Sequence, residues 1–110
     1  MIREKKLFDV IKNIDQYDPD LTVYVKAVNG EELNSQIETI LDYESEDDTD
    51  LRHSQEKDFK YLLEVFIINE VIEDWIEINK NHNRNYNFST LELTKMIIHY
   101  AVKDSWPEIL

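Results

Sequence analysis

Between Tyr61 and Ile78 the chain is apolar except for Glu64, Asn69, Glu70, Glu73, Asp74 and Glu77. So many polar breaks exclude a membrane span, which needs about 20 predominantly apolar residues in a row. Phe59, Leu62, Leu63, Phe66, Ile67, Val71, Trp75 and Ile78 keep a helical spacing, and Val65, Ile68, Ile72 and Ile76 widen the stripe. A helix apolar on most of its circumference is expected at the centre of a fold. This pattern predicts a buried helix with Phe66 and Trp75 in one cluster with Met96. Its first part, Tyr61 to Ile68, reads equally as a buried strand, because short apolar runs do not reveal their period. Glu70, Glu73, Asp74 and Glu77 recur at i, i+3, i+4 and i+7. They read as the polar face of that helix rather than as paired catalytic carboxylates.

The rest of the chain supplies partners for such a helix. One glycine and two prolines in 110 residues imply well-filled elements, and the length implies a single domain over residues 1–110. Leu7, Val10, Ile11 and Ile14 make one stripe of an amphipathic helix within "REKKLFDVIKNI". Pro19 ends it, because a proline pushes the residue before it out of helical geometry. Leu21, Val23, Val25 and Ala27 alternate with Thr22, Tyr24 and Lys26, and Ile37, Thr39, Leu41 and Tyr43 fall on one face of a second run, which predicts two strands. A two-residue turn at Asn29-Gly30 would turn the apolar stripe of the second strand to the wrong face. A wider loop, Val28 to Asn34, is expected instead, setting Val25 opposite Ile37 and Val23 opposite Thr39. Ser89 and Glu92 form a capping box ahead of a last helix, whose buried stripe is Leu93, Met96, Ile97, Tyr100 and Ala101. The expected fold is α+β in the order α-β-β-α-α, with helices packed on a small antiparallel sheet.

The charge is uneven. The net charge is −12, and residues 31–60 hold eleven acidic against three basic side chains, whereas residues 1–30 balance at five each. Such a field repels nucleic acid and anionic membrane and attracts basic proteins. "LDYESEDDTDLRH", Leu41 to His53, is the most acidic stretch. Two readings compete for it. Charge runs are usually solvated loops. Yet Tyr43 stands among the acids, as interface anchors do, and the segment leaves a strand that can present it. On the second reading the partner-contacting residues are Asp42, Tyr43, Glu44, Glu46, Asp47, Asp48 and Asp50, with Asp18 and Asp20 near the start of the first strand.

No constellation for catalysis stands out. There is no cysteine, which removes disulfides and thiolate metal sites and suits a cytoplasmic location. The N-terminus has no unbroken apolar run of a signal peptide. His53 beside Asp50 reads as an ion pair before a general base, and His82 and His99 as surface residues. No histidines stand in a metal-ligand pattern, and no cofactor or metal is expected. Glu44, Glu46, Asp48 and Asp50 alternate, but without the glycine and distal glutamate of a calcium loop they allow only weak divalent binding. A single glycine excludes the Walker-type and Rossmann glycine patterns.

"YLLEVFIINEVIEDW" (Tyr61–Trp75) and "HYAVKDSW" (His99–Trp106) carry a resemblance. Tyr61, Leu63, Glu64, Val65, Trp75, Tyr100, Ala101 and Asp104 match a family of small acidic bacterial proteins of uncharacterised role. That family is similar to the immunity proteins of polymorphic or contact-dependent growth-inhibition toxins. The resemblance covers about half the chain and leaves the acidic segment outside it. It implies a non-enzymatic protein that binds a basic toxin domain, of which a nuclease is the type that most needs a basic active site. A DNA mimic or regulator that sequesters another basic protein is the alternative.

Overall fold

The computed structural model describes residues 2–26, 33–43 and 59–103. In chain order the elements are β1 (Ile2–Glu4), α1 (Leu7–Lys12), a 3-10 turn (Ile14–Gln16), β2 (Leu21–Lys26), β3 (Thr39–Tyr43), β4 (Phe59–Glu64), α2 (Val65–Asn81) and α3 (Thr90–Lys103). The strands form one antiparallel sheet in the order β1-β3-β2-β4. The α+β class is as expected. The element order is not, because a strand precedes α1 and the sheet has four strands among the described residues rather than two.

Each departure has a local cause. Strand β1 is three residues long, too short to show an alternation, and exists through its ladder: Ile2 opposite Leu41, Arg3 opposite Ile40, Glu4 opposite Thr39. Helix α1 therefore starts at Leu7 rather than Arg3. The amides of Leu7 and Phe8 have no partner inside the helix, and the carbonyls of Ile37 and Ser35 accept them, both at 2.9 Å. The stripe Leu7, Val10, Ile11 and Ile14 is buried, as its spacing predicts.

The β2–β3 register differs from expectation by two residues. Val25 lies opposite Thr39 and Val23 opposite Leu41, and the Lys26 amide donates to the Glu38 carbonyl at 2.9 Å. A slip of two leaves every side chain on its expected face, so hydrophobic alternation alone does not detect it. Leu21, Val23, Val25 and Leu41 join the core with the helices. Thr22, Ile40 and Asp42 alternate to the opposite face and are equally buried, each 1 % exposed.

The ambiguous run from Tyr61 to Ile68 is both strand and helix. Strand β4 ends at Glu64 and α2 begins at Val65 with no connecting loop. Val23 pairs with Leu63 and Tyr24 with Tyr61, which leaves Leu62 as the extra residue of a bulge. The bulge lets two consecutive leucines, Leu62 and Leu63, enter the same core. A regular strand would send one of them to each face, which is why the run shows no strand period.

Helix α2 buries Val65, Ile68, Val71, Trp75 and Asn79. This is a single stripe, not most of a circumference. Phe66 is 46 % exposed and does not join Trp75 and Met96 in the core, correcting the expected cluster of three. Asn79 is buried because its Nδ2 donates to the Trp75 carbonyl at 2.8 Å. The helix ends where Asn83 takes φ 55, a left-handed conformation asparagine tolerates. The amide of Asn83 donates to Lys80 O and that of Arg84 to Asn79 O, the paired bonds of a Schellman stop. Helix α3 opens on the expected capping box: Ser89 N donates to Glu92 Oε1 and Glu92 N to Ser89 Oγ, both at 3.1 Å. Met96 and Ile97 are buried, and Leu93, Tyr100 and Ala101 pack partly against the same core.

Candidate interaction surface

The turn Asp18–Pro19–Asp20 joins the 3-10 turn to β2 and gathers three parts of the chain. Asp20 N donates to Asp18 Oδ1 at 2.9 Å, and Leu21 N to the Asp18 carbonyl at 3.0 Å. This is an aspartate folding its own turn. Tyr43, at the end of β3 and opposite Leu21, donates its hydroxyl to Asp18 Oδ2 at 2.8 Å. The first-turn amide of Phe66 donates to the Pro19 carbonyl at 3.2 Å, so the turn satisfies one amide that α2 leaves unpaired. The beginning of α2, the end of β3 and an acidic turn thus meet at one corner.

The electrostatics of the corner follow from these bonds. The Asp20 amide, and then the Tyr43 hydroxyl, hold the Asp18 carboxyl below the usual carboxylate range. The same bond to Asp18, with the nearby negative charge, makes the Tyr43 hydroxyl harder to ionise and pushes its pKa above the ordinary value. Its ring stays 51 % exposed. The hydroxyl is fixed while the ring faces outward, the posture of an aromatic available to a partner.

The expected contact residues divide three ways. Tyr43 is exposed at this corner, and Asp18 and Asp20 are beside it, as expected. Asp42 is 1 % exposed, with Oδ1 accepting the Tyr43 amide at 2.9 Å. Its carboxylate is inside the protein rather than on a contact surface, because the sheet face to which it alternates is itself covered. Glu44, Glu46, Asp47, Asp48 and Asp50, with His53, lie outside the described residues.

One feature was not assigned to a surface by spacing. Phe66 follows Val65, the first buried residue of α2, so at 100° per residue it turns away from the core. Its exposure is readable only once the helix is known to start at Val65. The polar residues Glu70, Glu73, Asp74 and Glu77 are exposed on the same helix, as expected.

A concavity lies between α2 and α3, an open cleft of about 380 Å³ lined by Trp75, Phe88, Glu92, Lys95, Met96 and His99. The Trp75 and Phe88 rings stand 6.1 Å apart at 35°. His99 is half-buried here rather than a plain surface residue, and His82 is exposed. Among the described residues no group of three or more His, Asp or Glu side chains is placed to hold a metal ion, and no helix is long and apolar enough to cross a membrane. No family model, curated protein or solved structure matches the chain.

Proposed function

We propose that this chain is a cytoplasmic immunity protein that binds a cognate basic toxin domain, of the nuclease class, and blocks its active site with an acidic surface. It works by occupancy and has no catalysis of its own. The observation that carries the reading is the corner at Asp18, Tyr43 and Phe66. Two exposed aromatic residues flank a carboxylate turn there, at the point where the chain enters its most acidic segment. A nuclease must hold phosphates with basic side chains. A protein of net charge −12 is drawn to such a site, and an acidic surface on it can fill that site. The aromatic rings supply apolar contact that charge alone lacks.

The test starts from the neighbouring genes: a large secreted toxin encoded directly upstream is expected, and its C-terminal domain is then co-expressed with this chain. Rescue of growth, a stable complex and loss of nuclease activity in that complex are expected. Failure to rescue at matched expression overturns the reading. Converting Glu46, Asp47 and Asp48 to lysine should slow association, and the wild-type association rate should fall as salt rises. Tyr43→Ala should instead speed dissociation by removing an anchor. A complex formed with equal strength by a basic protein unrelated to any toxin would favour the sequestering regulator instead.

A further inference from the structure

Helix α2 has two faces of opposite character. Val65, Ile68, Val71 and Trp75 are buried, while Phe66, Glu70, Glu73 and Glu77 stand at i, i+4, i+7 and i+11 and are all exposed. That spacing places the four on one side of the helix, over a length of about 16 Å. Asp74 is exposed beside them.

The arrangement is costly for the isolated fold. Glu70 with Asp74 and Glu73 with Glu77 are like-charged i, i+4 pairs, and Glu70 with Glu73 and Asp74 with Glu77 are like-charged i, i+3 pairs. Each weakens a helix. No lysine or arginine occurs between Val65 and Asn79 to offset them. The first cation, Lys80, has its Nζ 5.8 Å from the centre of the Tyr86 ring. A face that served only hydration would gain by alternating glutamate with lysine. This one does not, and it begins with an exposed phenylalanine that lies outside the core cluster.

Resting on the basic-partner reading above, we infer that the outward face of α2, from Phe66 to Glu77, docks a lysine- and arginine-rich protein surface. The face is continuous with the Asp18–Tyr43 corner through the bond between Phe66 N and Pro19 O. Charge complementarity selects the occupant: guanidinium or ammonium groups relieve the carboxylate repulsion, and Phe66 offers its ring to a guanidinium or to apolar stems. Tyr43 and Phe66 are the two anchors, one at the end of β3 and one at the start of α2.

The probe is a nona-arginine peptide added to the full-length, isotope-labelled chain at low salt, followed by amide chemical shifts, with a nine-residue glycine-serine peptide as control. The expected result is a set of shifts centred on Phe66, Glu70, Glu73 and Glu77 and on Asp18 to Asp20, absent with the control peptide. The variant carrying Glu70→Gln, Glu73→Gln and Glu77→Gln should bind at least tenfold more weakly while unfolding at the same or a higher temperature. Phe66→Ala should bind several-fold more weakly with an unchanged thermal midpoint. Shifts centred elsewhere, on the Trp75–His99 cleft or on residues 44–58, would overturn this docking face while leaving the basic-partner reading standing. Unchanged affinity in the triple glutamine variant would do the same. Absence of any binding at low salt would overturn both.

Discussion

Trp75 and Phe66 belong to the same helix and differ sixfold in exposure, 8 % against 46 %. Trp75 lies on the buried stripe, with the Phe88 ring 6.1 Å away and Met96 in the same core. Phe66 heads the opposite face, followed by carboxylates. One face of α2 is held by packing, and the other carries a run of carboxylates with no lysine or arginine between Val65 and Asn79. Hydrophobicity does not separate the two aromatic residues. Their phase relative to the first helical residue does, and that phase is set by the point where β4 stops.

The largest effects should separate interior from surface. Trp75→Ala leaves a cavity between α2 and α3 and should cost about 3–5 kcal/mol. Phe66→Ala should cost less than about 1 kcal/mol, as an exposed substitution. Denaturant titration of both variants decides this, and equal midpoints would abolish the distinction between the faces. Two acidic residues extend the contrast. Asp42→Lys puts an ammonium into a site 1 % exposed and should cost about 3–5 kcal/mol, or prevent folding. Glu73→Lys on the outer face of α2 should change stability by no more than about 0.5 kcal/mol. A well-folded Asp42→Lys protein would mean that Asp42 belongs to the surface after all.

Asp42 also shows where sequence reasoning loses its footing. The α1 stripe, the two central strands and the Ser89–Glu92 box are local patterns, and each is read correctly from spacing. Asp42 follows Leu41, and an aspartate alternating with a buried leucine is ordinarily exposed. It is buried because the second face of the sheet is closed as well, and no local pattern records what covers a face. The bulge at Leu62 hides β4 in the same way, by removing its alternation, and the three-residue β1 exists only through pairing with β3. At the candidate surface, Tyr43 and the nearness of Asp18 and Asp20 are legible, because strand ends and acidic turns are local. Phe66 is not, because its exposure depends on a strand-to-helix boundary inside a uniformly apolar run.

Local bonds contribute the intermediate effects. Ser89→Ala removes one half of the capping box and should cost about 1 kcal/mol. Thermal unfolding measures it, and a loss as large as that for Trp75→Ala would show that the start of α3 also carries core packing. Tyr17 tests the near side of the corner by pH. Burial first, and then its bond to Glu4 at 3.0 Å, push its hydroxyl up to about 12 from an ordinary 10.0. The folded state therefore holds this proton more tightly than the unfolded state. The resulting stabilisation is complete below pH 10 and lost as the pH rises through about 12. Tyr17→Phe should flatten stability over that window relative to the wild type. Glu4→Gln should bring the pH at which Tyr17 ionises only part of the way back towards its ordinary value, since burial remains.

The smallest effect is the most specific to the corner. Asp18 is held below the usual carboxylate range, first by the Asp20 amide and then by the Tyr43 hydroxyl. A depressed carboxyl contributes stability above its ordinary value of 3.8, and that contribution disappears as the pH falls through the folded value. Because Asp18 is fully exposed, solvent screens most of this. The observable is therefore the carboxyl carbon shift of Asp18 against pH rather than global stability. In the wild type its midpoint should lie below the usual range. Tyr43→Phe should move it upward but not fully back, because the Asp20 amide still donates. Phe66→Ala should leave it in place, because Phe66 reaches the turn through its backbone amide and alanine keeps that amide. An Asp18 midpoint left unchanged by Tyr43→Phe would mean that the Tyr43 hydroxyl is not held. The ring would then have no fixed direction, and the anchors of the proposed surface would reduce to Phe66 and the carboxylates of α2.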